Sequence, residues 1–158
     1  MKKRSFYSYR RYWYHLSSTL KDNEIKMIPW GNDKAFNRGP TEPSDKRICV
    51  SPTIAHCLTA IPYWLMDDYM IYRTKVPVKA NKPYDVFDSN VTKEGWIQEQ
   101  MEFVKIGCIC FKDVERYLNV KKVIPESASE GCVRYSGKVL KWWKKINFNK
   151  YLKEMGHR

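Results

Sequence analysis

No apolar stretch in the 158-residue chain is long enough to cross a bilayer as a helix. The basic N-terminus is followed by no apolar segment of the kind that makes a signal peptide. The five cysteines (Cys49, Cys57, Cys108, Cys110, Cys132) are odd in number and lack the spacing of a disulfide scaffold. They read as reduced, mostly buried thiols of a cytoplasmic protein. Glycine-rich phosphate loops, paired zinc-type cysteines and the HExxH metalloprotease pattern are absent. So are internal repeats and low-complexity tracts. These absences leave a single globular domain without a resident metal as the expectation, and 43% apolar residues suffice for one real core.

Acid is missing where base is concentrated. Residues 1–12 hold five Lys/Arg and no Asp/Glu, a charge of +5. Residues 134–158 hold eight Lys/Arg against Glu154, a charge of +7. The remaining body, 13–133, balances 16 against 16. A neutral body with two basic ends is the footprint of a polyanionic partner, most often nucleic acid. Aromatics are interleaved with the cations at both ends, and stacking beside cations is how single strands are held. Arg10, Arg11, Lys141, Trp142, Trp143, Lys144 and Lys145 are the candidate contacts.

The segment YWYHLSS (12–18) reads as a strand ending in turn or cap chemistry. A turn or short helix and an extended segment follow to Pro29. Residues 31–46, with Gly31, Gly39, Pro40 and Pro43, form a long loop. RICVS is a buried strand, and PTIAHCLTAI is a helix with Ser51 as N-cap and Pro52 at its first position. Residues 69–78 are a strand and 79–93 a second loop. EGWIQEQ and EFVKIGCICF are two strands or a hairpin pair, with Val104, Ile106, Cys108 and Cys110 alternating. KDVERYLNV suits a short helix, 123–137 a loop, and the end a broken amphipathic helix. This order predicts one α+β domain with split antiparallel or mixed sheets and flanking short helices. Residues 1–11 would be a basic arm, 12–122 the core, and 123–158 a basic aromatic extension.

Taken singly, His15, Ser51 and Glu94 are ordinary: a core histidine, a cap, a solvated carboxylate. His56 beside Cys57 on one helix does not make a nucleophile–base pair, because neighbours in a helix diverge. In order, however, YHLSS, RICVSPTIAHCLTA and KEGWIQEQMEFVKIGCI resemble the three motifs of the ADP-ribosyltransferase fold, in its diphtheria-toxin and poly(ADP-ribose) polymerase-like branch. The resemblance spans about residues 12–111 and implies an NAD cleft as the centre of the fold. It implies that His15 holds the nicotinamide ribose and that Glu94 orients the ribose 2′-hydroxyl and stabilises the cationic transition state. Arg47, Ser51 and Arg38 would line the cofactor site, with the helix start at 52–54 offering N–H donors to the pyrophosphate. Tyr63 is the nearest match to the branch's stacking aromatic, although it lies a few residues late. Leu16 stands where the branch has a glycine, so a side chain occupies space the ligand would approach. The implied activity is ADP-ribosyl transfer from NAD to nucleic acid or a nucleic-acid-bound protein; RNA 2′-phosphotransferases share the fold. The alternative is a non-catalytic basic protein that binds nucleic acid or an acidic nucleoprotein, such as a small phage-type inhibitor.

Overall fold

In the computed structural model, the residues described are 6–30, 45–60, 68–84, 86, 89–110, 141 and 143–155. The order is β1 (Tyr14–Ser17), β2 (Glu24–Met27), β3 (Ile48–Val50), α1 (Ile54–Thr59), β4 (Tyr69–Thr74), α2 (Ser89–Thr92), β5 (Gly95–Ile97), β6 (Met101–Ile109) and α3 (Phe148–Met155). It is a small α+β domain whose strand pairs are antiparallel. One sheet has the order β1-β4-β6-β2 and the other pairs β3 with β5.

β3 is stitched to the larger sheet at both ends. Arg47, just before it, exchanges backbone hydrogen bonds with Trp30. Ser51, just after it, does so with Tyr14 at the start of β1. The residues on which the strand-to-helix corner turns are therefore ladder residues. This explains why Ser51 does not cap the helix. Thr53 does, with an extended backbone and a side chain accepting from His56 N–H at 3.1 Å, and helical geometry begins at Ile54 rather than Pro52.

β5 and β6 are consecutive but belong to different sheets, so they are not hairpin partners. The alternation expected along β6 also fails. A bulge leaves Ile71 opposite Gly107 and Tyr72 opposite Lys105, so Ile106 is the extra residue. Before the bulge only Phe103 is buried, whereas after it Gly107, Cys108 and Ile109 all are.

The core contains Trp13, Met27, Ile48, Val50, Tyr72, Ala80, Ile97 and Phe103. A large apolar side chain fully buried in such a core stabilises by roughly 1.5–3 kcal/mol. Its polar edges are satisfied: Trp13 Nε1 donates to the Val78 carbonyl at 3.0 Å, and the Tyr72 hydroxyl to Asp22 at 2.7 Å.

Both basic ends pack on this body. Residues 6–11 run antiparallel to 78–81, with Tyr7 N–H on Ala80 and Arg11 exchanging bonds with Val78. At the other end, Asn147 caps α3 through its side chain, and the Tyr151 hydroxyl accepts from Cys110 N–H at 3.1 Å. Among the described residues, no helix is long and apolar enough to cross a membrane. Residues 31–44 of the loop expected at 31–46, the helix expected at 112–120 and the loop expected at 123–137 lie outside the described residues, as do Arg38, Tyr63, Cys132 and Trp142.

Candidate functional site

His15, Ser51 and Glu94 line one cavity of about 200 Å³, together with Tyr14, Cys49, Cys57, Tyr69 and Thr92. The three arrive from separate places: β1, the end of β3, and the turn between α2 and β5. The Tyr14–Ser51 ladder bridge sets the first two side by side, and the β3–β5 pairing brings Glu94 up behind them. A groove of about 550 Å³ adjoins the cavity, sharing His15, Leu16 and Tyr69 with it and adding Lys26, Trp30 and the 17–20 turn. Together they reach the size of small-molecule sites, roughly 300–1,000 Å³.

His15 is half-buried, with Nδ1 2.9 Å from the Cys49 carbonyl. A carbonyl only accepts, so the ring proton sits on Nδ1 and Nε2 is the acceptor. Burial holds the ring's pKa below its usual value, against the opposing pull of the Cys49 bond. At neutral pH the cavity therefore holds a neutral imidazole of fixed tautomer.

Glu94 is fixed at three atoms. Trp96 Nε1 donates to its Oε1 at 2.8 Å, the Tyr7 hydroxyl donates to its backbone carbonyl at 2.7 Å, and its N–H reaches Thr92 Oγ1 at 3.3 Å. The turn that presents it contains Lys93, whose φ of 53° is the left-handed region that L side chains rarely adopt. Lys93 N–H closes α2 on the Ser89 carbonyl at 2.9 Å, and the reversal sends the chain into β5.

The thiols on the wall are not nucleophiles. Cys49 has an exposed side chain, yet the protein packed around its sulfur, then the neighbouring Glu94 carboxylate, push it up to about 12, with Arg47 opposing. Burial pushes Cys57 up to about 12 as well, with hydrogen bonds from Ser51 opposing, and its sulfur contacts the Tyr14 carbonyl at 3.3 Å. A thiol so raised carries almost no thiolate at neutral pH. His56 turns its Nδ1 to Thr53 Oγ1 at 2.6 Å.

Several residues expected at the site are placed elsewhere. Arg47 is 2% exposed; its guanidinium lies 4.1 Å from the Trp96 ring centre and donates to the Asp45 carbonyl. Spent on that stack, it is no pyrophosphate ligand. At the start of α1 the Thr53 side chain takes the His56 N–H, and the first intrahelical bond runs from Cys57 N–H to the Thr53 carbonyl. Trp143 is fully buried, as is Tyr151, so neither offers a face for stacking; lysines 141, 144 and 145 are exposed. Arg10 is exposed, whereas Arg11 donates from Nη2 to the Pro52 carbonyl at 2.6 Å.

Sequence reasoning missed Tyr69, Thr92 and Trp96. Trp96 had a signal: residues two apart on an extended segment share a face, so an indole donor could reach the Glu94 carboxylate. Tyr69 had none, since its place on the wall comes from the fold of β4 across β1. No family model, curated protein or solved structure matches this chain.

Proposed function

We propose that the cavity binds the nicotinamide-ribose half of NAD and that the protein transfers ADP-ribose from it. The observation that carries this is the convergence of His15, Ser51 and Glu94 on one cavity. Three residues up to 79 positions apart, each ordinary alone, share a small, mostly apolar wall. Their chemistry suits the reaction. The bond that breaks joins ribose C1′ to the nicotinamide nitrogen, and its electron pair leaves with neutral nicotinamide. The sugar left behind is cationic until a nucleophile adds. A carboxylate held rigidly by an indole N–H stabilises that cation better than water, whose dipoles must reorganise. A neutral His15 with Nε2 as acceptor takes a ribose hydroxyl proton in a hydrogen bond. Tyr69, on the shared wall of cavity and groove, offers a face for the nicotinamide ring, and Lys26 a charge for the phosphates. Lys26 takes the role first given to Arg47, which is buried against Trp96.

A second function, NAD-type binding without catalysis, is favoured by Leu16, which lines both cavity and groove and narrows the approach. Nicotinamide release separates the two, and calorimetry tests the binding site they share. Wild-type and Glu94→Gln proteins should bind NAD with similar Kd, and Leu16→Trp, which fills the junction, should not bind. Binding by Leu16→Trp equal to wild type would remove NAD from this cavity.

A further inference from the structure

The two basic ends, far apart in sequence, meet in space. Arg11 from the N-terminal segment donates to the Pro52 carbonyl just ahead of α1 at 2.6 Å, and α2, which Lys93 N–H closes, packs on α1; with Lys144 before α3 they lower the pKa of His56 in α1. Lys93 and Lys144 are exposed.

From this cluster a line of two rings flanked by cations leads along the N-terminal segment. The Arg11 guanidinium lies 5.8 Å from the Tyr9 ring centre, Tyr9 lies 6.3 Å from Tyr7, and Lys82 Nζ lies 5.7 Å from the Tyr7 centre. Tyr9 is 48% exposed, so its ring can take a base. Tyr7 is the same residue whose hydroxyl holds the Glu94 carbonyl at 2.7 Å. The line therefore runs beside the cavity.

The geometry points to a nucleic-acid surface: a single strand lies along Lys82, Tyr7, Tyr9 and Arg11, with its phosphates gripped by Lys93 and Lys144, and passes Glu94. Rings flanked by cations suit a single strand, because unpaired bases stack while the phosphates take the charges. A duplex hides its base faces and gains only the charge term. Trp143 and Tyr151 are buried and offer no face to a base, whereas Tyr9 at the N-terminal end does. As a binding face, the surface is independent of the cavity; as the path of an acceptor, it rests on the NAD function proposed above.

The test is fluorescence anisotropy of the full chain with a labelled 20-nucleotide single strand, its duplex, and a polyglutamate competitor of equal charge. Wild type should bind the single strand more tightly than the duplex, with affinity falling steeply as salt rises. The double variant Lys93→Glu/Lys144→Glu should bind at least 10-fold more weakly, with the log–log salt slope reduced by about 1.4 for two lost phosphate contacts. Tyr9→Ala should weaken single-strand binding about 10-fold and leave the duplex unchanged. All three positions are exposed, and circular dichroism checks that the fold survives. Equal binding by the charge variant, tighter binding of the duplex, or displacement by polyglutamate at equal charge would each overturn the surface. Nicotinamide release measured on the same preparation keeps the two proposals apart. Release without strand binding removes this surface and leaves the cavity; strand binding without release does the reverse.

Discussion

Trp96 Nε1 donates to Glu94 Oε1 at 2.8 Å, and the same indole carries the Arg47 guanidinium 4.1 Å from its ring centre. One side chain thus anchors the carboxylate and shields a buried cation. Trp96→Phe keeps a ring for Arg47 and removes the N–H. It should lower kcat for nicotinamide release roughly 10-fold, about 1.4 kcal/mol, with the Kd for NAD little changed. An unaltered kcat would show that the carboxylate needs no anchor.

Acid should destabilise the protein through its histidines. His56 is buried with its pKa down to about 4, first by burial and then by Lys144, Arg11 and Lys93. Its unfolded pKa is the ordinary 6.5, so between pH 6.5 and 4 the unfolded chain binds the proton and the folded chain does not. Stability therefore falls as pH drops through that window and levels off below it. After allowance for solvent screening, the loss is on the order of 2 kcal/mol. His15, shifted the same way, adds to it. Urea denaturation at pH 7 and pH 4 measures the loss, and His56→Gln should reduce it; an identical loss in that variant would assign the effect elsewhere.

Gly95 has no room for a methyl group. A Cβ there would come 2.8 Å from Ala80 Cβ and 3.0 Å from the Trp13 ring, and neither can move freely in the core. Gly95→Ala should cost about 1–3 kcal/mol by overpacking and loosen the strand that positions Glu94. A melting temperature equal to wild type would contradict the packing described.

Much of this was legible from local pattern. The strands around His15 and at Ile48–Val50, the helix beginning near Ile54 and the α+β class follow from short apolar runs between turn residues. Pairing was not legible. EGWI and EFVKIGCI follow each other in sequence, yet long-range contacts with β3 and β4 draw them into separate sheets. Ser51 looked like a cap because Ser-Pro before an apolar helix has that form; the ladder bond to Tyr14 takes it instead. Arg47 and Trp143 were misplaced for one reason. Charge and aromaticity suggest surface contact, but a cation can be buried against a ring, and a tryptophan beside lysines can face inward. The site's main residues were visible only as an ordered set, since nothing local to His15, Ser51 or Glu94 marks it.

Lys93 holds the left-handed conformation at the end of α2, where glycine has no Cβ to strain. Lys93→Gly should raise stability by about 0.5–1 kcal/mol while weakening the single-strand affinity that its charge supports. Opposite signs in the two measurements are the expected signature. A loss in both would mean that the lysine side chain itself holds the turn.

The central claim is that Glu94, facing His15 across one cavity, drives the departure of nicotinamide. It is tested most directly by incubating the full chain with NAD labelled in the nicotinamide ring and measuring free nicotinamide over time. Wild type should release it, and Glu94→Gln, which keeps the shape and removes the charge, should reduce the rate by at least 100-fold, about 2.7 kcal/mol. Equal release by the two proteins, or none by wild type, would contradict the account.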